Sequence, residues 1–146
     1  MKVISARYTV QEAKERLKHI MPQGNFIHHH HDLDAAAMIC HLVAVSRNWW
    51  HEADGTPKKR NIGEMIALIH SEVSEALEGA RRDLPSDHIP GSLFGEEMGD
   101  VFIRVGDLAY ATGVDMAWTT FTKLSFNFVR EDHSLESRNS PGGKQI

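Results

Sequence analysis

The chain has 146 residues, of which 41% are hydrophobic and 25% are charged, and its formal net charge is −4. This length and composition suit one folded domain and exclude collagen-like, disulfide-rich and strongly disordered proteins. The single cysteine, Cys40, cannot form an intrachain disulfide, and no apolar run is long enough for a membrane span or a signal peptide. We therefore expect a cytoplasmic protein with no membrane partner. The mild acidity argues against binding to a nucleic acid polymer but leaves a nucleotide ligand open.

Apolar residues recur at helical spacing, and no segment shows the alternation of a strand. Thr9 and Glu12 form a capping-box pattern that predicts the start of a first helix. Asp32 or Asp34 is expected to cap a second helix that runs to about Trp50.

Three further helices follow along the chain. Asn61 is the expected N-cap of the third, the fourth runs from about Leu93 to Ala111 with Gly113 as its C-cap, and Asp115 caps the fifth. The sequence thus predicts an all-α fold, a bundle of about four to five helices. The apolar stripes that we expect to face inward are Met65, Ile66, Ile69, Val73, Ala76, Leu77 and Ala80 on the third helix, Phe94, Met98, Val101, Val105 and Leu108 on the fourth, and Trp118, Phe121, Leu124 and Phe128 on the fifth.

Two pairs of carboxylates with i,i+3 spacing lie on consecutive predicted helices. Glu72 and Glu75 are on the third helix, and Glu97 and Asp100 are on the fourth. This spacing places both members of a pair on one side of their helix. If the two faces meet, the carboxylates converge and require a cation, and oxygen-only ligands favour Mg²⁺ or Mn²⁺. The alternative is an ordinary solvated face, since one such pair alone is more often surface than site.

The negative charge is concentrated around these pairs. Residues 64–100 contain nine acidic and two basic residues, net −7, whereas the rest of the chain contains eleven acidic and fourteen basic residues, net +3. With a cation bound to the acidic region, the basic remainder is suited to an anionic ligand.

The two acidic pairs and their surroundings resemble the MazG-type nucleoside triphosphate pyrophosphohydrolases. The signature of that family is Glu-x-x-Glu, a variable spacer and Glu-x-x-Asp, all on helices. The resemblance extends from about Val45 to Lys144 and includes Asn48-Trp49-Trp50, Asn61-Ile62-Gly63-Glu64, Asp87-His88-Ile89-Pro90, Lys123, Asn127, Arg130, His133 and Gly142-Gly143-Lys144. We accordingly divide the chain into an N-terminal helix and His-rich loop at residues 1–34, a MazG-like domain at residues 35–133, and a basic, Gly-rich tail at residues 134–146. The run from His28 to His31 is expected to be an exposed loop.

The resemblance implies hydrolysis of a nucleoside triphosphate, NTP or dNTP, to the monophosphate and pyrophosphate. It implies that Mg²⁺, or Mn²⁺, is held by the four carboxylates Glu72, Glu75, Glu97 and Asp100. It also implies a homodimer or homotetramer with the active site near the subunit interface, because the family is typically oligomeric. The residues expected to bind the substrate are Trp50, for stacking on a base, and Lys123, Asn127, Arg130 and Lys144, for the phosphates.

Several alternatives stay open at this stage. Trp49 shares the stacking role with Trp50, and because adjacent tryptophans cannot share one helical face, at least one is expected in the core or at a subunit contact. Asp107 either shares the face of Asp100 or pairs with Arg104. A carboxylate-bridged di-iron bundle requires Glu-x-x-His on two helices, and the chain has no such sequence. A non-catalytic helical interaction module and a hydrolase of another phosphorylated nucleotide, such as an alarmone, are the alternative functions.

Overall fold

The computed structural model describes residues 3–4, 7–20 and 33–130, and within them it contains five α-helices and one small antiparallel sheet. The all-α prediction is confirmed. Two strands of two residues each were not predicted, because two residues are too few to show alternation; β1 pairs with β2 so that Val3 lies opposite Asn61. The elements in chain order are β1 (Val3–Ile4), α1 (Val10–Ile20), α2 (Leu33–Ser46), β2 (Arg60–Asn61), α3 (Ile62–Arg82), α4 (Leu93–Thr112) and α5 (Met116–Val129).

The predicted caps at Thr9, Asn61, Gly113 and Asp115 are formed. Thr9 and Glu12 make the reciprocal capping box, in which the Glu12 amide donates to Thr9 Oγ1 at 3.2 Å and the Thr9 amide donates to Glu12 Oε2 at 2.8 Å. Asn61 caps α3 and Asp115 caps α5, each through its side-chain oxygen. Gly113 ends α4 with a left-handed φ of 76°, a conformation that glycine adopts without a steric penalty.

The second helix ends earlier than predicted, and Asp34, one of its two predicted N-caps, has another role. It ends at Ser46 rather than near Trp50, and Asn48 in the following turn has a left-handed φ of 63°. Asp34 lies inside the first turn of α2, where its Oδ1 accepts hydrogen bonds from the amides of Met116 at 2.7 Å and Ala117. It therefore helps to cap α5 rather than α2. Asp32 lies outside the described residues.

Helix α2 lies at the centre of the bundle, packed against α1 and α4, and α4 packs in turn against α3. The approach of α2 to α4 depends on Gly106, since a Cβ there would lie 3.2 Å from both Ala37 Cα and Cys40 Sγ. Around α2 the largest fully buried side chains form the core: Trp50, Leu42, His41 and Val45.

Large parts of the expected inward stripes are exposed, and for these residues the prediction is wrong. Met65 and Ala76 of α3 are buried, but Leu77 is 59% exposed and Trp118 of α5 is 67% exposed. The reason is geometric: α3 packs mainly against α4, and α5 packs mainly against α2, so within the described chain a large part of the surface of each helix meets no other element. We define the outer apolar face as the following exposed apolar residues, some of which lie outside the predicted stripes: Ile66, Val73 and Leu77 of α3, Phe94, Met98 and Phe102 of α4, and Trp118, Phe121, Leu124 and Phe126 of α5.

Some predictions fall on residues that the structure does not describe. These are the loop from His28 to His31, His133, Lys144 and the tail at residues 134–146. The division of the chain into three regions stays a prediction. Among the described helices, none combines the length and the apolar character needed to cross a membrane.

Candidate metal centre

The contact between α3 and α4 brings three of the four predicted carboxylates together. The two helices approach closely at Gly79, where a Cβ would lie only 2.8 Å from the backbone nitrogen of Phe94. Glu72 lies seven residues before Gly79 on α3, and Asp100 lies seven residues after Leu93, the first residue of α4. Each carboxylate is therefore about 10 Å along its helix from this contact. Glu72, Glu97 and Asp100 each present a carboxylate oxygen, and these oxygens lie within 4.8 Å of one another. We call these three residues the acidic cluster.

Glu97 is the most constrained member of the acidic cluster. It is 7% exposed, and its Oε2 is buried without a hydrogen-bond partner in the described part of the chain. Burial, followed by hydrogen bonding with Glu72 and the charges of Glu75, Glu72 and Asp100, raises the pKa of Glu97 to about 7. The protein alone therefore does not stabilise a full set of ionised carboxylates at this point.

The other two members differ in how they are neutralised. Burial and the charge of Glu72 raise the pKa of Asp100 above its ordinary value, while the Arg104 guanidinium opposes this rise. Arg104 donates from Nε to Glu72 Oε1 at 2.5 Å. This contact settles one open alternative, since Arg104 pairs with Glu72 and not with Asp107. One guanidinium is insufficient to balance three carboxylates, so the cluster retains excess negative charge.

Glu75 lies outside the acidic cluster. Its side chain is exposed one turn further along α3 from Glu72, and it acts on the cluster through its charge, which contributes to the raised pKa of Glu97. The predicted set of four ligands is therefore found as three clustered carboxylates with a fourth at the rim.

The residues present fit a hard divalent cation. Their donor atoms are all carboxylate oxygens, the chemistry that Mg²⁺ and Mn²⁺ prefer. The buried, unpartnered Oε2 of Glu97 is an independent indication, because a buried carboxylate oxygen without a donor is costly unless a cation or a proton balances it. A cation at the cluster would satisfy this oxygen and remove the repulsion that raises the pKa of Glu97.

Asp107 belongs to a different network, in which both of its carboxylate oxygens have hydrogen-bond partners. Its Oδ1 forms hydrogen bonds with His41 Nδ1 at 2.7 Å and with the Trp50 indole Nε1 at 2.9 Å, and its Oδ2 lies 3.1 Å from the same indole nitrogen. Trp50 has no exposed surface, so its ring is unavailable to a base and the stacking prediction for Trp50 is corrected. Trp49, in contrast, is 49% exposed. The expectation that one of the two tryptophans belongs to the core is met by Trp50.

The phosphate-binding residues predicted on α5 lie around one aromatic ring. Lys123 Nζ lies 4.6 Å and the Arg130 guanidinium carbon 5.5 Å from the centre of the Phe126 ring. Lys123 is exposed, and Asn127 carries a buried Oδ1 without a hydrogen-bond partner in the described residues. Their binding of phosphate stays a prediction, as does that of Lys144, which lies outside the described residues.

The sequence did not single out Arg104 and His41 as parts of a site. Glu72 and Arg104 are 32 residues apart on different helices, so no helical spacing links them. His41 lies in an apolar run. A histidine there that faces a buried acid can be distinguished from one packed among apolar side chains only when the helix that packs against it is known. The only available signal was the position of Arg104 one turn beyond Asp100 on the same face.

Comparison of the chain with protein-family models, with curated proteins and with solved structures gave no match. The likeness to the MazG-type enzymes therefore remains a resemblance of motifs.

Proposed function

We propose that the chain is a Mg²⁺-dependent nucleoside triphosphate pyrophosphohydrolase of the MazG type, with Mn²⁺ as the alternative ion. Its reaction cleaves an NTP or dNTP to the monophosphate and pyrophosphate. The observation that supports this most is the acidic cluster, in which the buried Glu97 Oε2 has no hydrogen-bond partner within the described chain. The two acidic pairs lie on consecutive helices that pack against each other, and their spacing matches that of this enzyme family.

Glu72, Glu97 and Asp100 are the proposed ligands, and Glu75 is the fourth carboxylate at the rim. Bound Mg²⁺ supplies neutralising charge and polarises the phosphoryl oxygens of the substrate. Glu97 and Glu72, each 7% exposed, hold their oxygens in a site with little water, where charge interactions are strong. Arg104 holds Glu72 by its Oε1 and so fixes the orientation of that carboxylate.

Lys123, Asn127, Arg130 and Lys144 are proposed to neutralise the phosphates beyond the reach of the ion. Lys123 and Arg130 both lie close to the Phe126 ring, so the two positive charges are near each other toward the C-terminal end of α5.

The outer apolar face supports a homodimer or homotetramer. An exposed set of large apolar side chains on three helices is typical of a subunit interface, since monomeric proteins rarely expose wide apolar patches. We propose that a second copy covers this face and that the protein acts in the cytoplasm. Two residues of the face, Val73 and Met98, directly follow Glu72 and Glu97 of the acidic cluster. Sedimentation is expected to show a species of two or four times the chain mass of 16.4 kDa, and a species of 16.4 kDa alone at micromolar concentration would contradict it.

The catalytic proposal is tested with a panel of NTPs and dNTPs, together with an alarmone, in the presence of Mg²⁺. We expect release of pyrophosphate and the monophosphate from at least one nucleoside triphosphate, and loss of this release when EDTA removes the metal. Release of orthophosphate only, or no release from any nucleotide, would contradict the proposal.

The rim position of Glu75 is tested by Glu75→Gln. We expect the rate of pyrophosphate release to fall about 10-fold, the lower end of the range for groups that act on a metal site from outside its ligands. The matched control is Glu78→Gln, one turn further along α3, where the carboxylate pairs with Arg82 at 3.1 Å. Glu75→Gln at the native rate would remove Glu75 from the site.

A further inference from the structure

A cavity of about 190 Å³ is lined in part by Arg104, which donates to Glu72 of the acidic cluster. Its apolar walls are Met65 and Leu68 of α3 and Ile103 of α4. The half-exposed indole of Trp49 forms one more wall. Apolar walls with an accessible aromatic ring suit a flat heterocycle, which gains from stacking as well as from the burial of its faces.

The polar groups of the cavity are mainly hydrogen-bond donors. Arg104 uses its Nε on Glu72, and its two Nη atoms form no hydrogen bond within the described chain. Arg60 donates from Nη1 to the Trp49 carbonyl oxygen at 2.8 Å, which fixes its guanidinium at the cavity wall. Asp107 also lines the cavity, but its oxygens already accept from His41 and Trp50.

We propose that this cavity binds the nucleobase of the substrate and that Arg60 and Arg104 select bases that present a ring carbonyl oxygen. This inference rests on the proposed function for the position of the triphosphate, but the base preference has its own test. A guanidinium only donates hydrogen bonds, so it pairs with a carbonyl oxygen and leaves an exocyclic amino group without an acceptor.

The shared contact of Arg104 links the two sites. Arg104 lines the cavity and donates from Nε to Glu72 of the acidic cluster, so one side chain contacts both places. On this proposal, a nucleotide with its base in the cavity extends its phosphates past Arg104 toward the cluster.

Hypoxanthine and adenine are the two bases that test the preference for a carbonyl oxygen most clearly. The two bases differ at position 6, where hypoxanthine has a carbonyl oxygen and adenine has an amino group. Each monophosphate is a product of the proposed reaction and is not consumed by it, so binding is measured without turnover. A hydrogen bond to a charged donor corresponds to a preference of about 10-fold or more.

The experiment is calorimetric titration of the full chain, in Mg²⁺, with inosine monophosphate and with adenosine monophosphate. We expect inosine monophosphate to bind at least about 10-fold more tightly, and this ratio to fall toward one in Arg104→Gln and in Arg60→Gln. Arg60→Gln is the variant that leaves the acidic cluster untouched, because Arg60 contacts the Trp49 carbonyl and not Glu72. Arg47→Gln, at an exposed position after α2 and outside the cavity, is the matched control and is expected to keep the ratio.

Equal affinities, tighter binding of adenosine monophosphate, no binding of either nucleotide, or a ratio unchanged in Arg60→Gln would each overturn the inference. These outcomes are distinct from failure of the proposed function. Pyrophosphate release without a base preference would refute the base pocket alone, and a base preference without pyrophosphate release would support the pocket and refute the hydrolase.

Discussion

Helix α4 contains two equally buried carboxylates, of which one faces hydrogen-bond donors and the other faces further carboxylates. Glu97 and Asp107, ten residues apart, are each 7% exposed. Asp107 faces two donors, His41 and Trp50, and both of its oxygens are within hydrogen-bond distance of them. Glu97 faces other carboxylates and has a buried Oε2 without a partner in the described chain. The comparison shows that burial does not by itself define the role of an acid: nearby donors make Asp107 a part of the core, and their absence leaves Glu97 suited to a cation.

The largest effect is expected from Glu97→Gln on activity. The substitution keeps the size of the side chain and removes the charge that would hold the ion, so we expect pyrophosphate release to fall by more than about 100-fold. The matched control is Glu96→Gln at the neighbouring position, where the carboxylate instead accepts from Ser86 at 2.6 Å. Pyrophosphate assays of both variants under saturating Mg²⁺ measure the difference. Equal rates in the two variants would place the chemistry elsewhere.

Asp107→Asn is expected to act on stability instead. Its amide group would face the donors of His41 and Trp50, so buried hydrogen bonds are lost and a donor is left without an acceptor. We expect the free energy of unfolding to fall by about 2–3 kcal/mol, as for other broken buried pairs. Glu97→Gln in metal-free protein at pH 7 is expected to raise it or leave it unchanged, because it removes repulsion. Urea denaturation in EDTA measures the free energy of unfolding of both variants. Similar losses in the two would show that Asp107 and Glu97 do not differ in their contribution to stability.

The pH dependence of stability is the smallest of these effects. The folded pKa of Glu97, about 7, is higher than its ordinary value of 4.5, so the folded protein binds more protons between these two values. The contribution of Glu97 to stability is thus fully present below about pH 4.5 and is lost as the pH rises through about 7. We expect the metal-free chain to lose stability over this window relative to Glu97→Gln.

Denaturation of both proteins in EDTA at a series of pH values gives this difference directly, since the other titrating groups are common to the two. Mg²⁺ is expected to abolish the loss in the native chain. A difference that stays constant, or that changes in the opposite direction, would mean that burial and the neighbouring carboxylates do not raise the pKa of Glu97.

The parts of the fold that were predicted correctly depend on neighbouring residues in the chain. Thr9, Asn61, Gly113 and Asp115 all act on backbone groups within four residues, so sequence alone specifies the helix ends that they form. Asp34 was misassigned because its partners are 82 and 83 residues away. The apolar stripes gave the right helices but the wrong inward faces, since periodicity does not tell a core from a surface that another subunit would cover.

The candidate site was predictable in its carboxylates and not in their partners. The i,i+3 spacing placed Glu97 and Asp100 on one face, and contact of α3 with α4 added Glu72. The exclusion of Glu75 from the cluster and the pairing of Arg104 with Glu72 depend on how the two helices are rotated against each other, which spacing does not determine.

The most direct test is titration of the metal-free chain with Mn²⁺, followed by electron paramagnetic resonance. It asks whether the acidic cluster binds a cation through Glu97, whose buried Oε2 has no hydrogen-bond partner among the described residues. The native chain is expected to bind Mn²⁺ in competition with Mg²⁺. We expect Glu97→Gln to weaken this binding at least about 10-fold and Glu96→Gln to leave it unchanged. Absence of Mn²⁺ binding by the native chain, or equal binding by the native chain and Glu97→Gln, would contradict the account.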